Sequence, residues 1–363
     1  MGNASPGGKQ QKGEGGHLPD CVAGTGWSEE DASLFERLLS HWQVGEGELQ
    51  PADDVPSLTV AGRTKFEDQV SVVRWRGDLL VLKRCQPPSA LYQELAVWFR
   101  LRPHTRVVGF RGVVPGSAAV LTDYMPLGTL ETFVLSPDAP PPGSPAWLRQ
   151  GVSLLLDVAR AMAHLHAEGF VWRDCAARNV LLCHEGGHDR LLRGKITDFG
   201  FARRMDADGR VVVPAQTRNL PIRIGAPESL ASDDAEYSAK SDVWSFGVLI
   251  YSLFARKRPY GDLAPAEVVQ GVIAGSLSLN ADDLVLHTSP PADSGKKTDK
   301  KTTSAPTKEK KKKMDRKRAS GLRSTFEACQ RRRPQDRPTM TDVILALSHH
   351  HHQLASPPSP QQG

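Results

Sequence analysis

No run in the 363-residue chain approaches the roughly 20 consecutive apolar residues that a membrane-spanning helix needs. The first residues are Gly-rich and polar and lack the apolar core of a secretory signal. Cysteine is sparse: Cys21, Cys85, Cys175, Cys183 and Cys329 are scattered, odd in number and without a CxxC pair. That spacing argues against a disulfide or zinc framework and for reduced thiols in the cytosol. Basic charge is also scarcer than the net +5 suggests. Lys296 to Arg318 holds twelve Lys or Arg against three acids, a net +9, which leaves −4 for the rest of the chain. No Tyr, Phe or Trp interleaves those lysines, so stacking on single-stranded nucleic acid, or any specific nucleic-acid recognition, is not expected.

Residues 288–320 are Lys-, Ser- and Thr-rich and nearly free of apolar side chains, the composition of a disordered insertion. A solvated loop is the default reading; a nuclear-import tract and a contact with an anionic membrane surface are the alternatives. Residues 1–26 read as a disordered tail. Gly2 raises N-myristoylation, but Pro6 stands where that signal wants Ser or Thr, which favours a flexible tail. Were Gly2 acylated, the Lys-rich tract or a lipidated Cys21 would be the second anchor that stable membrane attachment requires. The expected location is therefore cytoplasmic, with membrane association and nuclear entry through the Lys-rich tract as alternatives.

What the chain does have is a 39% hydrophobic content, enough for a globular core, and one stretch dense in chemistry. Val171 to Leu182 sets Asp174 and Asn179 five positions apart between two apolar runs. Packed flanks can hold such an acid and amide in one loop, the acid to accept a proton from a hydroxyl and the amide to hold a phosphate-bearing metal. The stretch resembles the catalytic loop of protein kinases, and Ala176-Ala177-Arg178 resembles its tyrosine-kinase version. Trp172 stands where the family has His; an indole can fill that volume, and the expectation is that it does not replace the histidine's hydrogen bonds.

Further motifs follow in the family's order. Lys83 ends the apolar run Leu79 to Leu82, and Glu94 follows in a helical stretch, Ala90 to Leu101, whose inward face is Leu91, Leu95 and Trp98. Ala119 to Leu130 resembles the kinase hinge, with Thr122 as gatekeeper and the Asp123 to Met125 backbone on adenine. Asp198-Phe199-Gly200 follows Asn179, and Ala226-Pro227-Glu228 closes the segment after it. That segment contains no Tyr, so phosphotyrosine pairing with Arg173 is not expected; Thr217 is its one hydroxyl. Leu220 to Arg223 resembles the tyrosine-kinase substrate platform. Ser238 to Ile250 matches the central helix of the large lobe nearly letter for letter, with Asp242 expected to hold the catalytic-loop backbone. Arg337 is expected to pair with Glu228. The poorest match is the phosphate-covering loop: of its three glycines only Gly62 is retained, and Val81 replaces a small residue beside adenine.

The resemblance implies an α+β, bilobal protein-kinase fold over residues 58–347. It comprises a small, mainly β N-lobe (58–122), a hinge (123–128) and a larger α-helical C-lobe (129–347), with a helical extension at 27–57 and a disordered tail at 348–363. It implies ATP and Mg²⁺ as cofactors and a protein substrate. Asp174 would take the hydroxyl proton. Lys83, Glu94, Gly62, Thr122, Asp123 and Met125 would form the ATP site, and Asn179 and Asp198 would hold the metal. Arg178 points to tyrosine as the acceptor. The alternatives are a pseudokinase that binds or scaffolds, favoured by the poor phosphate loop, Val81 and Trp172, and a serine/threonine kinase. His184 with His188 reads as a solvated turn before a metal pair, and His349 to His352 as an incidental run or a weak metal site.

Overall fold

The computed structural model describes residues 29–55, 70–88, 90–186, 191–213, 221–231, 235–286 and 320–355. The N-terminal part is a five-stranded sheet, ordered β1-β2-β3-β5-β4, whose described pairings are all antiparallel. Its strands are β1 (Gln50–Pro51), β2 (Val70–Trp75), β3 (Asp78–Arg84), β4 (Phe110–Val114) and β5 (Ala119–Asp123). Arg76 and Gly77, both with positive φ, make the two-residue turn between β2 and β3, which suits the twist of a hairpin.

Alternation along β3 does the positioning. Leu80 and Leu82 point into a small core with Val44, Val73, Val114, Ala119 and Leu121. Each such leucine contributes about 1.5–3 kcal/mol by leaving water. The period of two therefore sends Val81 and Lys83 to the opposite face of the sheet. Helix α1 (Glu29–Trp42) and helix α2 (Ala90–Trp98) belong to this half. α2 buries Leu91, Leu95 and Trp98, the inward face expected from the sequence, and Glu94 with them.

One boundary and one helix face differ from expectation. The N-lobe sheet begins at Gln50, ahead of residue 58, because the end of the N-terminal extension pairs with β2. On α1, Phe35 is buried and Leu39 and Trp42 pack against the core, but Leu34 is 41% exposed, so the apolar face is narrower than the pattern implies.

The rest is mainly helical: α3 (Leu130–Leu135), α4 (Pro145–Ala167), α5 (Pro227–Leu230), α6 (Ala239–Ala255), α7 (Pro265–Ala274), α8 (residues 320–329) and α9 (Met340–Ala355). Ser144 caps α4 by accepting the Trp147 amide at 3.1 Å, with Pro145 in the first turn. α6 is apolar almost all round and buried accordingly, the mark of a central helix. Gly151 of α4 lies against it: a Cβ there would come within 2.5 Å of the Phe254 ring. Buried Asp157 ties α4 to β8 (Leu191–Ile196), accepting from Arg193 at 2.9 Å and the Gly194 amide at 3.1 Å.

Short strands frame the loops between the two halves. β6 (Phe170–Val171) pairs with β9 (Arg203–Arg204), β7 (Val180–Glu185) with β8, and β10 (Arg210–Val213) with β11 (Ala235–Ser238). The last pairing fastens the start of the segment after Asp198 to the chain beyond Glu228. The final helix does not stop near Leu347. It runs through the four histidines because Met340, Val343, Leu347, His350 and Leu354 form one buried stripe at helical spacing. The two-lobed α+β architecture expected from the sequence is present.

Candidate active site

The loop carrying Asp174 hangs from one buried carboxylate. Asp242, wholly buried near the start of α6, accepts the amides of Trp172 and Arg173, each at 2.8 Å, and His166 Nε2 lies 2.9 Å from it. That grip offsets the left-handed backbone of Arg173, at φ 66°. Beyond it, residues Ala177–Asn179 make one tight 3₁₀ turn that folds Asn179 back on Asp174. Asn179 Nδ2 donates to the Asp174 carbonyl at 2.9 Å and to its Oδ2 at 2.7 Å, while Arg178 donates to Oδ1. Burial raises the Asp174 carboxyl above the ordinary Asp range, and Arg178 and Asn179 pull against it. A carboxylate kept more basic than usual yet held by donors is suited to accept a proton.

Trp172 overturns the expectation set for it. Its indole Nε1–H donates to the Asp198 carbonyl at 3.0 Å, and its ring is fully buried. The Trp therefore fills the volume and also ties the catalytic loop to the Asp198 backbone, itself left-handed at φ 63°. Phe199 is fully buried and meets Trp98 edge-on, with ring centroids 4.7 Å apart.

Lys83 joins the two halves. Its Nζ donates to Glu94 Oε2 at 2.9 Å and to Asp198 Oδ1 at 2.7 Å. Burial disfavours the ammonium, but Asp198 and Glu94 outweigh it and hold the Lys83 pKa above its ordinary value. Burial likewise opposes the Asp198 carboxylate, and Lys83 overcomes it, so Asp198 titrates below the usual range. Cys85 lies 3.7 Å from Glu94 Oε2; burial, then that carboxylate, push its thiol up to about 12, which makes it inert.

Thr122 is buried on β5 between Val81 of β3 and Phe110 of β4. The Asp123 amide donates to the Gly109 carbonyl at 2.9 Å, and its carboxylate accepts from the Gly109 amide at 3.1 Å. The Met125 carbonyl accepts the Gly128 amide at 3.3 Å. Gly62, Thr217, Leu220 and His188 lie outside the described residues, as do residues 1–28 and the Lys-rich insertion up to residue 319.

Arg337 and Glu228 pair as expected. The two guanidinium nitrogens reach the two carboxylate oxygens at 2.7 and 2.8 Å, and the remaining donors reach the carbonyls of Arg331, Lys240 and Arg332. Arg173, expected to lack a phosphotyrosine, has other partners. Its Nη1 donates to the Phe201 carbonyl at 2.9 Å and its guanidinium lies 4.1 Å over the Tyr237 ring of β11. Sequence reasoning missed Tyr237, which carries no motif; its one signal is alternation with Ala235 on a strand. It also missed Arg203, which donates to Gln93 beside Glu94 and links the segment after Asp198 to α2.

Among the described residues no cluster of three or more His, Cys, Asp or Glu is disposed to hold a metal. A magnesium site shared with phosphates needs fewer protein ligands, and hard oxygen ones. Because Asn179 turns its amide nitrogen to Asp174, its Oδ1 is the end left over. Asp198 uses Oδ1 for Lys83 and, at 3.3 Å, for the Gly200 amide, leaving Oδ2. This donor set fits Mg²⁺, and Lys83 between two acids is a cation a phosphate can share. A cavity of about 390 Å³ adjoins the same loop, bordered by Ala176, Ala177, Arg178, Arg223 and Arg256, with Glu131 on its wall.

The profile of the family of protein tyrosine and serine/threonine kinases matches residues 81–286, more than half of the chain. The chain belongs to the protein kinase superfamily, with a tyrosine-kinase-like domain. It is similar to human ephrin type-A receptor 8, 34% identical over 175 residues that cover 47% of this chain and 16% of the receptor. It is also similar to Drosophila melanogaster tyrosine-protein kinase hopscotch, 31% identical over 195 residues, 54% of this chain and 16% of the relative. Human tyrosine-protein kinase FRK is 35% identical over 187 residues, 50% of this chain and 34% of the relative. The chain spans well under two thirds of these relatives' length. Protein kinases use ATP and Mg²⁺, and the oxygen donors at Asn179 and Asp198 agree with that use.

Proposed function

We propose that this kinase domain transfers the ATP γ-phosphoryl group to tyrosine side chains of proteins. The observation that carries the reading is the assembled polar set: Lys83 bonded to both Glu94 and Asp198, and Asp174 held by Asn179 and Arg178. Mg-ATP, when bound, supplies the phosphoryl group and neutralises the charge that its transfer develops. Asp198 and Asn179 are the residues to hold the metal, and Lys83, fixed by Glu94, to hold phosphate oxygens. Asp174 orients the incoming hydroxyl and accepts its proton, a task its raised basicity favours. Arg178 lies beside that carboxylate and on the cavity wall, where an acceptor segment can lie. The relatives named as tyrosine kinases support a phenol as acceptor.

The test is phosphoryl transfer from Mg-ATP to a mixture of Tyr-, Ser- and Thr-containing peptides. Wild type should yield phosphotyrosine, and Asp174→Asn should lose about 10²- to 10⁴-fold in rate while folding normally. Folded wild type that transfers nothing would leave the scaffold reading standing, and product confined to Ser or Thr would replace the acceptor.

A further inference from the structure

Helix α1 lies ahead of the stretch that matches the kinase family, yet its rings run into the site. Phe35 is 2% exposed and meets Phe99, just past α2, edge-on at 5.1 Å and Tyr92 of α2 at 6.2 Å. Trp42, at the end of α1, meets Phe110 of β4 at 5.1 Å. Phe110 stacks on Trp98 of α2 at 5.4 Å, and Trp98 meets Phe199 at 4.7 Å. Three ring contacts thus lead from the extension to the residue after Asp198. The seam is close: the Val44 amide donates to the Val113 carbonyl at 2.8 Å. A Cβ on Gly112 would come within 2.9 Å of the Trp42 carbonyl, so the seam has no room for a side chain there.

We propose that Phe35 and Trp42 are positioning residues: α1 holds α2, and with it Glu94 and the Phe199 ring, in the arrangement that presents Lys83 and Asp198. The physical basis is that packed rings transmit displacement, because interiors are dense and have few voids to absorb it. Glu94 sits one turn before Trp98 on the same helix, so a shift of Trp98 moves both. The proposal rests on the kinase reading only for its effect on rate; the packing effect is measurable without catalysis.

The experiment compares full-length wild type with Phe35→Ala, Trp42→Ala and Trp42→Phe. Phe326→Leu, on α8 and away from α2, serves as the control for loss of buried volume. Hydrogen exchange is followed in the peptides covering 90–98 and 197–202, with melting temperature measured alongside. Trp42 stands three ring contacts from Phe199. Trp42→Ala should nevertheless raise exchange in 197–202 by about tenfold, and Trp42→Phe should restore most of the protection. Phe35→Ala should do the same chiefly in 90–98. Phe326→Leu should leave both segments protected even if it lowers the melting temperature as much. In the transfer assay kcat should fall in the Ala variants with the peptide KM unchanged. Unchanged exchange in both segments, or an equal rise in Phe326→Leu at equal loss of melting temperature, would overturn the proposal. If exchange responds as expected while wild type transfers no phosphate, the positioning stands and the kinase reading fails.

Discussion

Two buried polar groups of the helical lobe are treated in opposite ways. Asp242, under the catalytic loop, is wholly buried, and its carboxylate is met by the Trp172 and Arg173 amides and by His166. His350, in the last turns of α9, is 2% exposed, and neither ring nitrogen has a hydrogen-bond partner among the described residues. A buried donor or acceptor left unpaired costs about 1–3 kcal/mol, whereas a paired one is close to neutral or favourable. Asp242 is therefore fully paired under the site, while His350 carries a deficit in α9. The difference separates what holds the chemistry in place from what merely closes the core.

Substitutions at the two places should break this comparison in different directions. Asp242→Asn keeps the shape but offers amide hydrogens where backbone amides point. It should cost about 3–5 kcal/mol, the scale for breaking a buried charged network. In a denaturant titration the loss should appear with local loosening of residues 172–179; a change within error would mean that the loop is held by packing alone. His350→Leu should act the other way. Burial, with His351 and His349 adding to it, pulls the His350 pKa down from 6.5 to about 4. The unfolded chain then binds a proton below pH 6.5 that the folded chain refuses until about pH 4. Stability is therefore complete above pH 6.5 and falls as the pH drops toward 4, by about 3 kcal/mol. The leucine variant has no such proton, so its melting temperature should exceed that of wild type by a margin that widens on acidification. Parallel curves from pH 7.5 to 4.5 would sink the account.

The same contrast explains what could be read without coordinates. Asp174, Asn179, Asp198, Asp242 and Arg337 were legible through their resemblance to kinase motifs, and Lys83 and Glu94 also as polar residues among apolar ones. A chain seldom buries such a group without using or pairing it. The end of α9 was misread as a tail because four consecutive histidines look solvated, although His350 and Leu354 continue the spacing of Val343 and Leu347. The two-residue strand β1 was too short to announce itself. For α1, periodicity identifies a face, but no local signal says that Phe35 and Trp42 meet Phe99 and Phe110. The Asp123 amide, bonded to Gly109, lay equally out of reach: strand pairing depends on register, which residue types alone do not fix.

Trp172 is the finest test of the contrast, because only one hydrogen bond is at stake. Trp172→Phe keeps an apolar ring and removes the indole N–H from the Asp198 carbonyl. The net loss should be about 1 kcal/mol for that bond, more if no water replaces the donor, and a further increment for the smaller ring. Because Asp198 has a left-handed backbone, releasing its carbonyl should let that residue relax, and Lys83 with it. Trp172→His makes the discrimination. A histidine that regains the bond should recover rate but not packing, so activity and melting temperature would part company. If both variants lose stability and neither changes the transfer rate, the indole is there for volume alone. The Asp198 backbone would then be held by Phe199 against Trp98.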